Sequence, residues 1–332
     1  MNAVLSAIGG GRLMPPADCD SILINARNGY AKANQSWILS RIVRDHISIT
    51  ADSGLTLSFF RTSKPQKHTK PGVPHRDWVY WSGVVVISVQ LGIAVIPGAV
   101  NDDWNTLIVT AAGTLLALAG GAIPQWQNEK WACRRRKPGD RPEVVCLTRG
   151  NGSKDVIVIV SKGDGQLRLE DLANVRDSRA GYTMLFTSVL AILWFGLLLT
   201  VAGLQSHAWY LLAIGSLGMV QNYVAAGVRR RPSASGIHLE ETEVVWAEKV
   251  FEALVKAETR ERGVGLSLLP IFFPGGLREH EEKWVKEKRE QYQQVDGRKE
   301  ETNKITASTP AEKNVHHRSP GDTLSSPQDS II

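Results

Sequence analysis

Four long apolar stretches free of Asp, Glu, Lys and Arg punctuate the chain: Val79–Ile96, Leu107–Ile123, Met184–Leu204 and Ala208–Val228. A helix rises about 1.5 Å per residue, so about 20 apolar residues cross a hydrocarbon core of roughly 30 Å. The last two stretches meet that length. The first reaches it by running to Val100 despite Pro97, and the second stops before Pro124. Helices of this length in a soluble core usually keep a polar face, which these stretches lack. The pattern predicts an α-helical membrane protein with four transmembrane helices in two hairpins, 79–123 and 184–228, and a small cytosolic α+β domain.

Aromatic residues flank the stretches. Trp78, Tyr80 and Trp81 open the first, Trp104 precedes the second, and Trp126 and Trp131 follow it. Tyr182 precedes the third, while Trp209 and Tyr210 begin the fourth. Such rings favour the headgroup level, where an apolar body and a polar atom are both satisfied.

The connections orient the hairpins. Asn101–Asn105 and Gln205–His207 contain no Lys or Arg, whereas Pro124–Thr183 contains twelve. Arg229, Arg230 and Arg231 follow the fourth stretch, and Lys64, Lys67, Lys70 and Arg76 precede the first. Positive loops stay cytosolic, which predicts that both termini and all bulky polar segments are cytosolic. The shorter first pair favours an endomembrane over the plasma membrane.

Between the spans, periodicity predicts smaller elements. Residues 1–18 read as a flexible N-terminus without a basic signal region, and 19–61 as an α+β segment. That segment holds a strand at Ser21–Asn25, a turn at Asn28-Gly29, a helix from Ser36 to Arg44 and a strand at Leu55–Phe60. Residues 62–78 form a Lys- and Pro-rich linker. In 124–183, the β-branched runs Val144–Arg149 and Val156–Ser161 flank Gly150-Asn151-Gly152-Ser153, which predicts a hairpin with a type I′ turn. Gln166–Leu169 would add a third strand after Asp164-Gly165, making a meander. Residues 229–295 read as a helical segment packing on that loop through the amphipathic stretch Leu239–Lys256. Val264–Phe273 is too short to span; it packs in the cytosolic domain or dips into the interface. Leu277–Gln293 is a charged helix with favourable Glu279–Lys283 and Glu282–Lys286 spacing. Residues 296–332 have the composition of a disordered tail.

Composition acquires meaning from this topology. A net charge of +6 would point a soluble protein towards nucleic acid, but here the basic clusters abut the spans. Arg134, Arg135, Arg136, Arg229, Arg230 and Arg231 are therefore candidate contacts for anionic lipid headgroups on the cytosolic face, each contributing about 1 kcal/mol. No nucleic-acid motif supports a second partner of that kind. Cys19, Cys133 and Cys146 lie in the reducing cytosol without a Cys-x-x-Cys, so they predict neither a disulfide framework nor a zinc site. Cys133 beside an arginine run is a site for S-palmitoylation or, preferably, an unmodified thiol.

Motifs for chemistry are absent. Gly150–Ser153 joins strands, so it is a turn and no phosphate cradle. Gly263-Val264-Gly265 has no preceding strand or evident helix N-terminus. The histidines lack metal-ligand spacing, and no Gly-x-Ser-x-Gly elbow occurs. No catalytic, cofactor or metal residue is predicted, and no cofactor. Within the spans the polar groups are mild. Gln90, Gln221 and Asn222 are candidate interhelical contacts, and Gly113, Ala117 and Gly121 a helix-packing ridge.

Several segments resemble a family of uncharacterised multi-pass membrane proteins of filamentous fungi. They are CDSILINARNGYAKANQSWILSRIVRD at Cys19–Asp45, GTLLALAGGAIPQWQNEKWACRR at Gly113–Arg135, LTRGNGSKDVIVIV at Leu147–Val160 and GVGLSLLPIFFPGGLREHEEKW at Gly263–Trp284. The resemblance implies a multi-pass membrane protein and carries no site residue. The leading expectation is a partner-binding or scaffolding membrane protein acting through its cytosolic domain, with a protein partner or a second copy of the chain as its partner. A small transporter or channel subunit is the alternative, and a membrane-embedded lipid-modifying enzyme the third.

Overall fold

A computed structural model describes residues 13–46, 53–63, 70–163, 165–174, 181–204 and 206–308. The polar parts of the chain build one mixed sheet. Its strands are β1 (Ile22–Asn25), β2 (Ala31–Ala33), β3 (Leu55–Thr62), β4 (Glu143–Thr148), β5 (Asp155–Ser161) and β6 (Leu239–Ala247). They lie in the order β2-β1-β4-β5-β3-β6, antiparallel throughout except for β3 beside β5. Three segments predicted as separate parts thus share a single sheet. The apolar pairs are insertions between its strands, one between β3 and β4 and one between β5 and β6.

The central strands read as unbroken apolar runs because both of their faces are covered. Val145, Leu147, Ile157 and Ile159 join Leu23 and Phe60 in a core with α1 (Trp37–Asp45) and α5 (Leu169–Leu172). The alternate residues Val144, Cys146, Val156 and Val158 are equally buried. On their side lie α8 (Val250–Arg260) and α9 (Val264–Phe272), whose Leu254, Val264 and Leu268 are fully buried. Ser36 caps α1 by accepting from the Leu39 N–H.

Three expectations for the sheet need correction. The β4–β5 hairpin forms, but Asn151 is not in the left-handed region; Gly150 and Gly152 are, at φ of 100° and 86°. Ser153 N–H donates to the Gly150 carbonyl, so positive φ at the second central residue alone gives the type II pattern. The meander's third strand is missing: Leu167 makes only an isolated bridge to Arg135, and β1 and β3 flank the hairpin instead. Finally, Leu239–Ala247 is a strand. Its apolar positions merge with those of α8 into one helical-looking stripe, but the β-branched Val244 and Val245 pair with β3 while Thr242 sits at a bulge, its hydroxyl donating to the Phe59 carbonyl.

The apolar stretches form α2 (Trp78–Asn101), α3 (Asn105–Gly121), α6 (Gly181–Ala202) and α7 (Ala208–Gly227). Among the described residues two helices, Trp78–Asn101 and Tyr182–Ala202, are long and apolar enough to cross a membrane. A third qualifies if α3 and α4 (Pro124–Lys130), bent by 42° at their junction, count as one span. Pro124 explains the bend. It lacks the N–H that would reach the Gly120 carbonyl, and the Trp126 indole N–H takes its place at 3.0 Å.

Helix α2 packs on α3 and on α7, and α3 packs on α6. Among the described residues α6 and α7 do not pack along their lengths, so the second pair is no closed hairpin. Glycines decide this arrangement. Added Cβ atoms at Gly113 and Gly120 would lie 3.4 and 3.2 Å from Leu197 and Leu190, so two leucines seven residues apart fit two glycines seven residues apart. The ridge Gly113, Ala117 and Gly121 is thereby rephased: Ala117 and Gly121 are exposed, and Gly120 takes their place.

A second unit begins at Leu277 and contains α10 (Glu279–Ser308). The helix continues beyond Val295, where the sequence analysis started the tail. The remaining tail residues 309–332, and residues 1–12 of the predicted flexible N-terminus, lie outside the described residues, as does Asp164.

Candidate functional site

Charged side chains converge where the helices meet the sheet domain. Asp77 caps α2, with Oδ1 accepting from the Tyr80 N–H, and receives Arg230 on both oxygens at 2.7 Å. The Arg230 backbone N–H donates to Asp45 at the end of α1. From α1, Arg41 donates to Asp18 at 3.2 Å and to the Ala226 carbonyl in the last turn of α7 at 3.3 Å. Arg44 pairs with Asp18 and Asp45. The clasp therefore joins the ends of α2 and α7 to α1. Burial alone would raise the Asp77 carboxyl, but the hydrogen bonds and charge of Arg230, with the Tyr80 N–H, hold it below the usual carboxylate range.

This clasp revises the predicted headgroup contacts. Arg230 is engaged by carboxylates, and Arg134 pairs with Asp171, which it holds below its usual pKa. Arg136 is buried in the sheet domain. There it donates to the carbonyls of Ser161, Asp140 and Arg141. Arg135, Arg229 and Arg231 remain exposed. A run of arginines beside a span looks alike in sequence whether it faces lipid or folds back, because the acceptors are distant in the chain.

Buried carboxylates in the sheet domain each cap backbone. Glu129 accepts from Leu13 and Met14 N–H groups at 2.9 and 2.7 Å. Glu143 takes the Leu169 and Glu170 N–H groups, yet burial still raises its pKa. Glu258 takes those of Gly263 and Leu266 at 2.7 and 3.0 Å. The last corrects the sequence reading: Gly263-Val264-Gly265 does open a helix, α9. Two amides at its start are occupied by Glu258, however, and a Cβ at Gly265 would lie 2.2 Å from the Leu254 carbonyl oxygen. With its apolar face buried on β1, β4 and α8, α9 belongs to the sheet domain.

Between α2 and α7 two glutamines bridge in reciprocal fashion. Gln90 donates to the Ile214 carbonyl at 2.8 Å, passing so close to Gly218 that a Cβ there would sit 2.9 Å from its amide. Gln221 donates to Ser82 at 3.0 Å, over Gly83. Asn222 is exposed and makes no hydrogen bond among the described residues. The sequence could not separate adjacent Gln221 and Asn222, which point about 100° apart on a helix.

The opposite helix ends are joined by a polar knot that no sequence motif announces. His207 contacts Asp103 at 3.0 Å through Nδ1 and Asn101 at 2.9 Å through Nε2, and Ser206 donates to Asp103. The bonds from His207, Asn105 and Ser206 hold the Asp103 carboxyl below its usual range. Asp102 and His207 take left-handed φ of 55° and 58°, uncommon for residues with a Cβ.

The thiols are poor nucleophiles. Burial pushes Cys133 up to about 11 and raises fully buried Cys146 further; Cys133 packs beside Trp131 on the core, which disfavours palmitoylation there. Trp131 itself lies over Gly72 and Gly236. Among the described residues no group of three or more His, Cys, Asp or Glu could hold a metal ion. The nine-residue edge strand β6 presents exposed Glu240, Glu241 and Glu243 together with Val244 and Trp246, 42% and 39% exposed. Comparisons with protein-family models, curated proteins and solved structures find no match to this chain.

Proposed function

We propose that the chain is a four-span membrane protein whose cytosolic sheet domain is a docking platform. Parity supports the spans. Strands on either side of each helix pair belong to one sheet, so each pair crosses the membrane an even number of times. If α2 and α6 cross, α3 with α4 and α7 cross back, although Gln221 and Asn222 dilute the hydropathy of α7. The twelve Lys and Arg between the pairs, against none in the tips, favour a cytosolic sheet. The fungal multi-pass family resemblance agrees with this reading, and the short first pair with an endomembrane.

The observation that carries the docking role is β6. It is long, lies at the sheet edge and combines three glutamates with exposed Val244 and Trp246. An open edge accepts an extended segment through main-chain hydrogen bonds, and Glu240 and Glu241, beside a Glu243 already paired with Arg260, select a basic one. A photo-crosslinker at Val244 in intact membranes tests this. We expect a discrete adduct that disappears when Glu240, Glu241 and Glu243 become lysine. An adduct insensitive to that reversal, or none, would overturn the role. The transporter reading has less support at Gln90 and Gln221, which are bonded across α2 and α7, and rests on Asn222, which faces away from the bundle.

A further inference from the structure

We propose that the outward stripe of α7 around Asn222 is the contact between two copies of this chain in the membrane. The proposal rests on the reading that α7 crosses the bilayer. Asn222 precedes the end of α7 at Gly227 by five residues, about 7.5 Å at the helical rise, which sets it below the headgroup-level Arg229–Arg231. Its amide carries two N–H donors and a carbonyl acceptor, exposed and unbonded among the described residues. Acyl chains satisfy none of them, and polar groups on spans nearly always find a partner. Gln221 has found one inside the bundle; Asn222 faces away from it.

A second copy is the occupant the geometry selects. Both copies insert in the same orientation, so a two-fold axis along the membrane normal brings α7 against α7 in parallel. Identical residues then meet at the same depth. A primary amide is self-complementary, so each Asn222 donates to the other's carbonyl. The residues lining this face fit such a seam. Leu212, Gly215, Met219 and Asn222 follow the i, i+3, i+7, i+10 spacing of a coiled-coil stripe. Leu212 and Met219 are 59% and 74% exposed, and nothing lies within 4 Å of a Cβ built on Gly215. The partner backbone can approach there, and the adaptable Met219 fills the space beside it.

The test uses full-length protein in sealed vesicles with the sheet domain outward. Oxidation should link Met219→Cys copies into a disulfide dimer, while Val220→Cys, on the next stripe, stays at the level of the parent protein. Energy transfer between labelled copies, followed on dilution with lipid, should show about tenfold weaker association for Asn222→Leu and near-normal association for Asn222→Gln. Equal cross-linking at 219 and 220, or Asn222→Leu associating like the parent, would overturn the dimer; so would energy transfer at the random-collision level, as expected if Asn222 is merely wetted at the interface. Ser206→Cys separates this failure from that of the span reading. Protection from an impermeant maleimide keeps α7 across the membrane, whereas labelling without permeabilisation removes the spans and the proposal with them.

Discussion

The sheet domain and the helices handle polar groups in opposite ways. Outside the apolar stretches, several charges are buried among main-chain partners: Arg136 among three carbonyls, Glu129, Glu143 and Glu258 among pairs of N–H groups. The four apolar stretches contain no charge, and two glutamines over glycines provide the polar links between α2 and α7. A buried ion left without partners costs several kcal/mol, so the first strategy makes the domain sensitive to single deletions. Interhelical amide bonds are individually weak, so the second spreads stability over close packing.

The largest effect should follow Arg136→Met, which leaves three carbonyls short of a donor. A loss of about 3 kcal/mol is expected in denaturant unfolding of the sheet domain. A change below about 1 kcal/mol would mean that the carbonyls find other donors. Next comes Gly265→Ala, whose methyl meets the Leu254 carbonyl; about 2 kcal/mol is expected, with the N–H bonds to Glu258 disrupted. Asp77→Asn, in a partly exposed pair, should cost about 1 kcal/mol after allowance for solvent screening. The lowered Asp77 pKa adds a pH signature: its contribution is present above the ordinary carboxylate range and lost as pH falls through the folded value. Gln90→Leu should cost only about 0.6 kcal/mol.

His46 offers a pH test confined to the sheet domain. It caps the end of α1, meets Ser58 at 3.1 Å and lies edge-on to Phe60. Burial lowers its pKa, partly opposed by Asp155 and Glu241. The unfolded chain therefore takes up its proton first as pH falls below about 6.5. Stability from neutral His46 is full above that value and declines as pH drops towards the folded pKa. Unfolding followed between pH 7 and pH 5 should show this slope, and His46→Asn should remove it.

Much of the local structure was legible. Unbroken apolar runs marked the four long apolar helices, and turn glycines with β-branched neighbours marked β1, β3, β4 and β5. What escaped was non-local. The parallel pairing of β3 with β5 spans an inserted helix pair, so no short-range signal announces it. β6 hid inside a stripe that continues into α8. The phase of α3 was misread because Ala111, Ala112, Gly113, Ala117, Ala119, Gly120 and Gly121 offer several small-residue faces. At the clasp, Arg230 could be recognised as basic, but Asp77 and Asp45 reach it only through the fold.

The central claim is that one cytosolic sheet closes around two membrane-crossing helix pairs. Cysteine labelling in sealed vesicles tests it directly, with Asn28→Cys and Asn151→Cys reporting the sheet and Asn105→Cys and Ser206→Cys the two tips. Modification of both sheet positions from the cytosolic side by an impermeant maleimide, with both tips protected until the membrane is permeabilised, is the result expected. Labelling of either tip together with the sheet positions in intact vesicles would contradict the account.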